Sequence, residues 1–327
     1  MPVRATPLLI DVDTGIDDAF ALLYACASPG VRLVGVSTVA GNVDLASATR
    51  NTGAVLTLAR RAEVPVWPGC GEPLLRSRHD ATRFHGAGGL GYAELPAPIA
   101  SRAQTHAIDA IIAAARNEPG ALALVATGPL TNIAAALLRE PTLPRLLGRL
   151  VLMGGAYREG GNVTPAAEFN IWHDPEAARI VFRAFAADGA APLIAVGLDV
   201  TRQALLRPAD LEGLARRCSG LPHAAALLRF LDDSSRHYFE TMERLTGARV
   251  FTMHDPLAVA AAIDPSLIVT QRVAVDVEAA GALTSGMTVA DWRGVWGRPP
   301  NADVAIAVEA PRFIADFLDA MERLAHG

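Results

Sequence analysis

The stretch Leu8-Leu9-Ile10-Asp11-Val12-Asp13-Thr14-Gly15-Ile16-Asp17-Asp18 decides how this chain is read. An apolar run leads straight into four aspartates, and an apolar periodic segment, 19–27, takes over. The pattern predicts a buried strand, a tight turn at Gly15 and a helix beginning near Asp17. Carboxylates then gather at the carboxyl end of a strand, where open α/β sheets bind ligands. Two readings stand side by side. Acids favour the first turn of a helix, and an Asp after a strand often caps. Crowded like charges also repel unless something offsets them, and a hard divalent cation with oxygen ligands does so.

Outward from that stretch, strand and helix patterns alternate. Val31–Thr38 reads as a second strand, followed by a helix over 45–61. Further strands are expected at 64–67, 121–126, 150–153 and 192–196, with helices at 104–117, from Gly128-Pro129 to about Arg139, and from Asp174-Pro175 to about Gly189. Asp then Pro is a good N-cap and N1 pair. Residues 208–245 read as helices, His254-Asp255-Pro256 opens another, short strands fall within 267–309, and 312–325 is a last amphipathic helix. The alternation predicts an α/β fold: an open, mostly parallel, Rossmann-like sheet with helices on both faces and additional helices after the sheet core. No linker or repeat interrupts it, so a single domain over 1–327 is expected. The Gly-, Pro- and Arg-rich stretch 68–101 is a long loop, and loops of that length are usually functional or mobile.

The bulk numbers narrow the function. The chain has 327 residues, 51% hydrophobic and 19% charged, a globular composition with length for a large core. A formal net charge of -5 gives no reason to expect a nucleic-acid partner. All 29 basic residues are arginine, which removes Schiff-base chemistry and a P-loop lysine. Cys26, Cys70 and Cys218 are far apart, which fits a reducing compartment without a disulfide framework or zinc-thiolate site. The first apolar run meets acids too early for a signal peptide, and no stretch approaches a membrane span. A soluble cytoplasmic protein is the expectation.

The chemistry converges by position. Asp13, Asn42, Thr127 and Met153 each stand at the end of a separate apolar strand, so a parallel sheet lines them along one edge. The loop after Met153 adds Asn162, Glu168 and Asn170. Carboxylates with amides suit a hard cation or a polyhydroxyl ligand such as a sugar. An isolated Asn in a Gly-rich loop is a turn residue; several on one sheet edge weaken that reading. His254 and Asp255 precede a helix, where Asp255 can be the N-cap, a ligand, or both, and His254 can move a proton. The Gly-rich loop 85–91 is not followed by a helix, so a flap with a polar tip, His85, suits it better than a phosphate cradle. His237 and Tyr238 read as a helix-surface pair.

These residues are also familiar as a set. The segments 11–22 (DVDTGIDDAFAL), 37–43 (STVAGNV), 126–132 (ATGPLTN), 152–157 (LMGGAY), 161–178 (GNVTPAAEFNIWHDPEAA), 197–201 (GLDVT) and 253–260 (MHDPLAVA) resemble, in order, those of the inosine-uridine-preferring nucleoside hydrolases. The resemblance implies hydrolysis of the N-glycosidic bond of ribonucleosides with a tightly bound calcium ion. It places Asp13, Asp18, Asp255 and the carbonyl of Thr127 on the calcium, with Asp13 also the general base for the attacking water. It places Asp17, Asn42, Met153, Asn162, Glu168 and Asn170 around the ribose, His85 on a loop closing over substrate, and His254 beside the leaving base. Homodimers or homotetramers are implied as well. The sequence departs from the family's pattern at Val12, Thr14 and Gly88.

Two other classes share some of these features. Asp11-x-Asp13-x-Gly15 superficially resembles a haloacid-dehalogenase nucleophile motif, but that chemistry normally wants a lysine. A non-catalytic calcium-dependent nucleoside- or ribose-binding protein would use the same acids; the intact Asp13, Asp17, Asp18, Asn170, His254 and Asp255 set favours turnover.

Overall fold

In the computed structural model, residues 5–99 and 103–327 are described. The first four residues and the end of the 68–101 loop lie outside them. Strand β1, Thr6–Val12, is buried on both faces beyond Thr6. Its alternation sends Leu8 and Ile10 into one apolar layer and Leu9 into the other. Helix α1, Ile16–Ala27, starts at Gly15, whose N–H donates to the Asp18 carboxylate at 2.9 Å. Ten successive residues of α1 are buried, which explains a helix that is apolar nearly all round.

The chain continues through β2 (Val31–Thr38), α2 (Leu45–Leu58), β3 (Val66–Pro68), the short α3 (Thr82–His85), α4 (Ala107–Asn117), β4 (Ala123–Ala126), α5 (Thr131–Arg139), α6 (Leu143–Leu146) and β5 (Arg149–Met153). Then come α7 (Phe169–His173), α8 (Pro175–Ala184), β6 (Leu193–Val196), α9 (Leu198–Thr201), β7 (Leu205–Leu206), α10 (Pro208–Arg217) and α11 (Ala224–Thr246). Strand β8 (Phe251–Thr252), α12 (His254–Ile263), a 3-10 turn, β9 (Ile268–Val273), β10 (Val275–Val277), β11 (Thr288–Ala290), β12 (Ala302–Val308) and α13 (Ala310–His326) complete it.

The eight-stranded sheet has the order β3-β2-β1-β4-β5-β6-β12-β9. All neighbours pair in parallel except β12 and β9, which form an antiparallel edge. The expected fold class is therefore present, and its strand order reverses between β1 and β4, the position of a ligand crevice. One core layer is aromatic: Phe20 lies edge-on to Phe251 at 5.0 Å and stacks with Phe317 at 5.8 Å. The other is built mainly of Leu, Ile, Val and Ala around Phe182.

Several boundaries differ from the sequence expectation for local reasons. Helix α4 starts at Ala107 rather than 104, because the His106 side chain accepts from the N–H of Ile108. Helix α2 stops at Leu58, where the chain turns through Arg60 at φ 61°. Helix α8 ends at Ala184, five residues before Gly189. Residues 208–245 divide into α10 and α11.

Candidate active site

Four carboxylates meet where β1 passes into α1 and α12 begins. Asp13, Asp17, Asp18 and Asp255 are all buried. One oxygen from each of Asp17, Asp18 and Asp255 lies within 4.8 Å of the others. Asp13 Oδ2 accepts from the backbone N–H of Asn42 at 2.6 Å. Its Oδ1 is buried without a hydrogen-bond partner. Asp18 accepts from the Asn42 amide at 3.1 Å and from the Thr127 hydroxyl at 2.7 Å. Strand ends β1, β2 and β4 are thereby tied to one side chain.

Glycine is required at two of these turns. A Cβ on Gly41 would stand 2.1 Å from Asp13 Oδ2, and one on Gly15 would stand 2.5 Å from His85 Nδ1. The His85 ring thus occupies the place a side chain at Gly15 would take. Its Nδ1 accepts from the N–H of Ile16 at 3.0 Å, so the ring proton sits on Nε2. Burial pulls the His85 imidazole down to about 4, against the opposing charge of Asp18, so it is neutral at pH 7.

Among the described residues no arginine pairs with any of the four acids, and His85, 3.8 Å from Asp17, is uncharged at neutral pH. Burial, then the charge of Asp18, pushes Asp13 well above the usual carboxylate range. Burial, then Asp17, Asp18 and Asp13, does the same to Asp255. Burial raises Asp17 to about 6. Burial, then Asp17, raises Asp18. Such a group holds protons or a positive ion. Its donors are oxygen only, the set a hard divalent cation takes, and the orphaned Asp13 oxygen adds a further ligand atom beside the trio.

A second group abuts the acids. Asn170 donates its amide to the carbonyls of Thr127 at 2.7 Å and Met153 at 3.2 Å. Glu168 caps α7, accepting from the N–H groups of Asn170, Ile171 and Gly155. Its buried carboxylate feels the charge of Asp17. On the far side, His254 Nδ1 lies 2.8 Å from the Thr201 hydroxyl. Burial, then Arg202, pulls this imidazole down to about 3, so it too is neutral at pH 7.

The inosine-uridine preferring nucleoside hydrolase family model matches residues 8–315. The chain belongs to this family. An "Inosine-uridine preferring nucleoside hydrolase" of Crithidia fasciculata is 40% identical over 97% of this chain and 98% of its own length. "Pyrimidine-specific ribonucleoside hydrolase RihA" of Salmonella arizonae is 37% identical over 95% and 96%. Among solved structures, the "Purine-Preferring Ribonucleoside Hydrolase from Gardnerella vaginalis" superposes with a TM-score of 0.90 at 34% identity, covering 98% and 99% of the two chains. A nucleoside hydrolase is an enzyme that cleaves the N-glycosidic bond of ribonucleosides with water. No helix among the described residues of this one is long and apolar enough to cross a membrane.

Within this nucleoside hydrolase the structure gathers most, but not all, of the residues singled out in sequence. Asp13, Asp17, Asp18, Asn42, His85, Thr127, Glu168, Asn170 and Asp255 share one hydrogen-bonded or charge-coupled group. Met153 joins through its carbonyl. Asp17, expected on the sugar, stands in the compact trio, while Asp13, expected on the metal, lies beside it. Asn162 is exposed and spends its side-chain carbonyl on the N–H of Phe169, so it shapes the loop rather than joining the buried group. His85, on the Gly-rich loop, is buried against the acidic turn.

Tyr238 is not a surface residue. It is buried against Phe251 at 4.4 Å, and burial and the charges of Asp17 and Asp255 raise its phenol. Asp11 went unassigned. Its carboxylate accepts from Ser37 at 2.5 Å and from Asn132 at 2.8 Å, locking β1, β2 and α5 beneath the site. The available signal was a polar residue inside each of two buried strands, Asp11 in β1 and Ser37 in β2.

Proposed function

We propose that this nucleoside hydrolase is calcium-dependent and that its reaction centre is the Asp13, Asp17, Asp18 and Asp255 group. Supporting this most strongly is the crowding itself: four buried carboxylates, those of Asp17, Asp18 and Asp255 with oxygens within 4.8 Å of one another, and no cationic partner among the described residues. Asp13, Asp18, Asp255 and the Thr127 carbonyl would hold the ion, with Asp17 near enough to share the task. When bound, calcium supplies a fixed positive charge that grips sugar hydroxyls and makes water more acidic.

The rest is work for the chain's own side chains. Asp13, with one oxygen fixed by Asn42, keeps the other free to take a proton from the attacking water. Asp17, Glu168, Asn42 and Asn170 offer acceptors and amides to the ribose. Glycosidic cleavage builds oxocarbenium character on the sugar, and negative oxygens placed in advance around it favour that charge. Met153 closes the floor, and Asn162 holds the 161–170 loop in register. His85, with its proton on Nε2, and His254 face the leaving base. With the Thr201 hydroxyl donating to Nδ1, neutral His254 carries its proton on Nε2, available to the departing base. We extend this reading to a single domain over 1–327, in the cytoplasm, as a homodimer or homotetramer.

Reducing-sugar release from inosine, uridine, cytidine, adenosine and guanosine, with and without a strong calcium chelator, tests the proposal. Ribose release that stops with chelator and returns with calcium is the expected result. Chelator-insensitive release would overturn the role of calcium. No release from any nucleoside by calcium-loaded protein would favour a binding protein.

A further inference from the structure

Asn51 lies on α2, outside every motif that carries the family resemblance, yet its side chain is only 4% exposed. Its amide nitrogen donates to two carbonyls from distant segments: Thr14, in the turn between Asp13 and Asp17, at 3.1 Å, and Gly88, in the Gly-rich loop, at 2.8 Å. Thr52, its neighbour, reinforces the turn side through the Thr14 hydroxyl at 2.6 Å. The loop's other tie to the turn is His85, which accepts from Ile16. A cavity of about 370 Å³ lies between Gly88, Leu90 and Gly91 of the loop, Asn51 and Ala54 of α2, and the following segment 93–98. Among the described residues, Asn51 and His85 are thus the hydrogen-bonded ties between loop and turn, while the Tyr92 N–H, donating to the Asp233 carbonyl, and the Phe84 carbonyl beside His237 hold the loop separately to α11.

We propose that Asn51 is a positioning residue: its amide latches the 79–92 segment in the closed arrangement that seats His85 against the acidic turn. The inference rests on the proposed reaction centre, but the latch itself can be observed without turnover. A hydrogen-bonded pair of this kind biases an equilibrium between closed and open loop. Where only the closed form binds well, apparent affinity falls with the closed fraction, while saturating substrate still draws the loop shut. Loss of both bonds then raises KM with little change in kcat. Partial unfolding would do the reverse, lowering kcat through the active fraction and leaving KM alone.

The test uses two variants that break the latch from opposite sides. Asn51→Asp keeps the shape but sets a carboxylate against two carbonyls. Gly89→Ala works from the loop: Gly89 has φ +86°, and a Cβ there would meet Asn51 Nδ2 at 2.9 Å and Val43 at 2.8 Å. In both calcium-loaded variants we expect faster amide hydrogen exchange confined to 84–91. With the preferred nucleoside, KM should rise on the order of tenfold with kcat within about twofold. Unchanged exchange at 84–91 in both variants, or a fall in kcat at constant KM, would overturn the latch. A protein that hydrolyses no nucleoside but shows the exchange change would overturn the reaction centre and leave the latch standing.

Discussion

Replacing Asp255 by asparagine asks whether the acids form one cation seat or a set of independent caps. The change keeps the side chain's shape and removes one charge. With oxygens of Asp17, Asp18 and Asp255 within 4.8 Å of one another, each ionised pair repels by about 3.5 kcal/mol at an effective dielectric of about 20. Asp255 enters two of those pairs, so up to about 7 kcal/mol of repulsion is at stake. Metal-stripped protein relieves part of it by holding protons, since burial and the neighbouring acids raise Asp255 well above its ordinary range. The part of the repulsion left unrelieved at pH 7.5 is what the asparagine removes. For a chain of this size each kcal/mol of it is worth roughly 2 °C in Tm. Thermal melts of stripped and calcium-loaded protein provide the assay. Stripped Asp255→Asn should melt above stripped wild type. Calcium should raise the wild-type Tm but not the variant's, and ribose release should fall by about 100-fold or more. A stripped variant that melts lower, or calcium raising both proteins equally, refutes the shared seat.

Two further outcomes are expected. His254→Ala should slow inosine more than p-nitrophenyl riboside, because only the poor leaving group needs a proton; equal losses in steady-state rates would remove His254 from that role. His173 is buried with neither ring nitrogen bonded, and burial pulls it down to about 4. Its folded value lies below the unfolded one of about 6.5, so stability present above pH 6.5 is lost as the pH falls toward 4, by about 2 kcal/mol at pH 5. Urea melts of His173→Leu should show a shallower decline between pH 7 and pH 5; an unchanged slope would count against this assignment.

The sheet was legible because its strands are buried on both faces and carry unbroken apolar runs. Strand β2 and helix α12 fall on the residues expected from sequence. The sheet-edge residues were legible for the same reason, since parallel strands put their carboxyl ends together. What could not be read depends on segments far apart in sequence. Asn51 looks like an ordinary polar residue of an amphipathic helix until the 79–92 loop folds over it. Tyr238 and His237 look like one exposed pair, but the loop's Phe84 carbonyl meets His237 Nδ1 at 3.0 Å and Tyr238 turns inward. Asn162 spends its side-chain carbonyl on its own loop, a use that spacing does not reveal. Competition between a side chain's local backbone partner and a distant ligand is invisible to spacing alone.

The two glycine turns bear on how such an enzyme can diversify. With Asp13 filling the space at Gly41 and His85 filling it at Gly15, neither turn accepts a side chain without displacing a residue of the acidic group. On the proposed reading, new base preferences are to be sought in 79–92, His85 apart, and in α11, surfaces laid over the sheet from elsewhere in the chain. The fold then sets a turn that resists substitution beside segments that tolerate it. A substitution library confined to those two segments, with the latch residues kept, is the one in which altered specificity and retained hydrolysis can coexist.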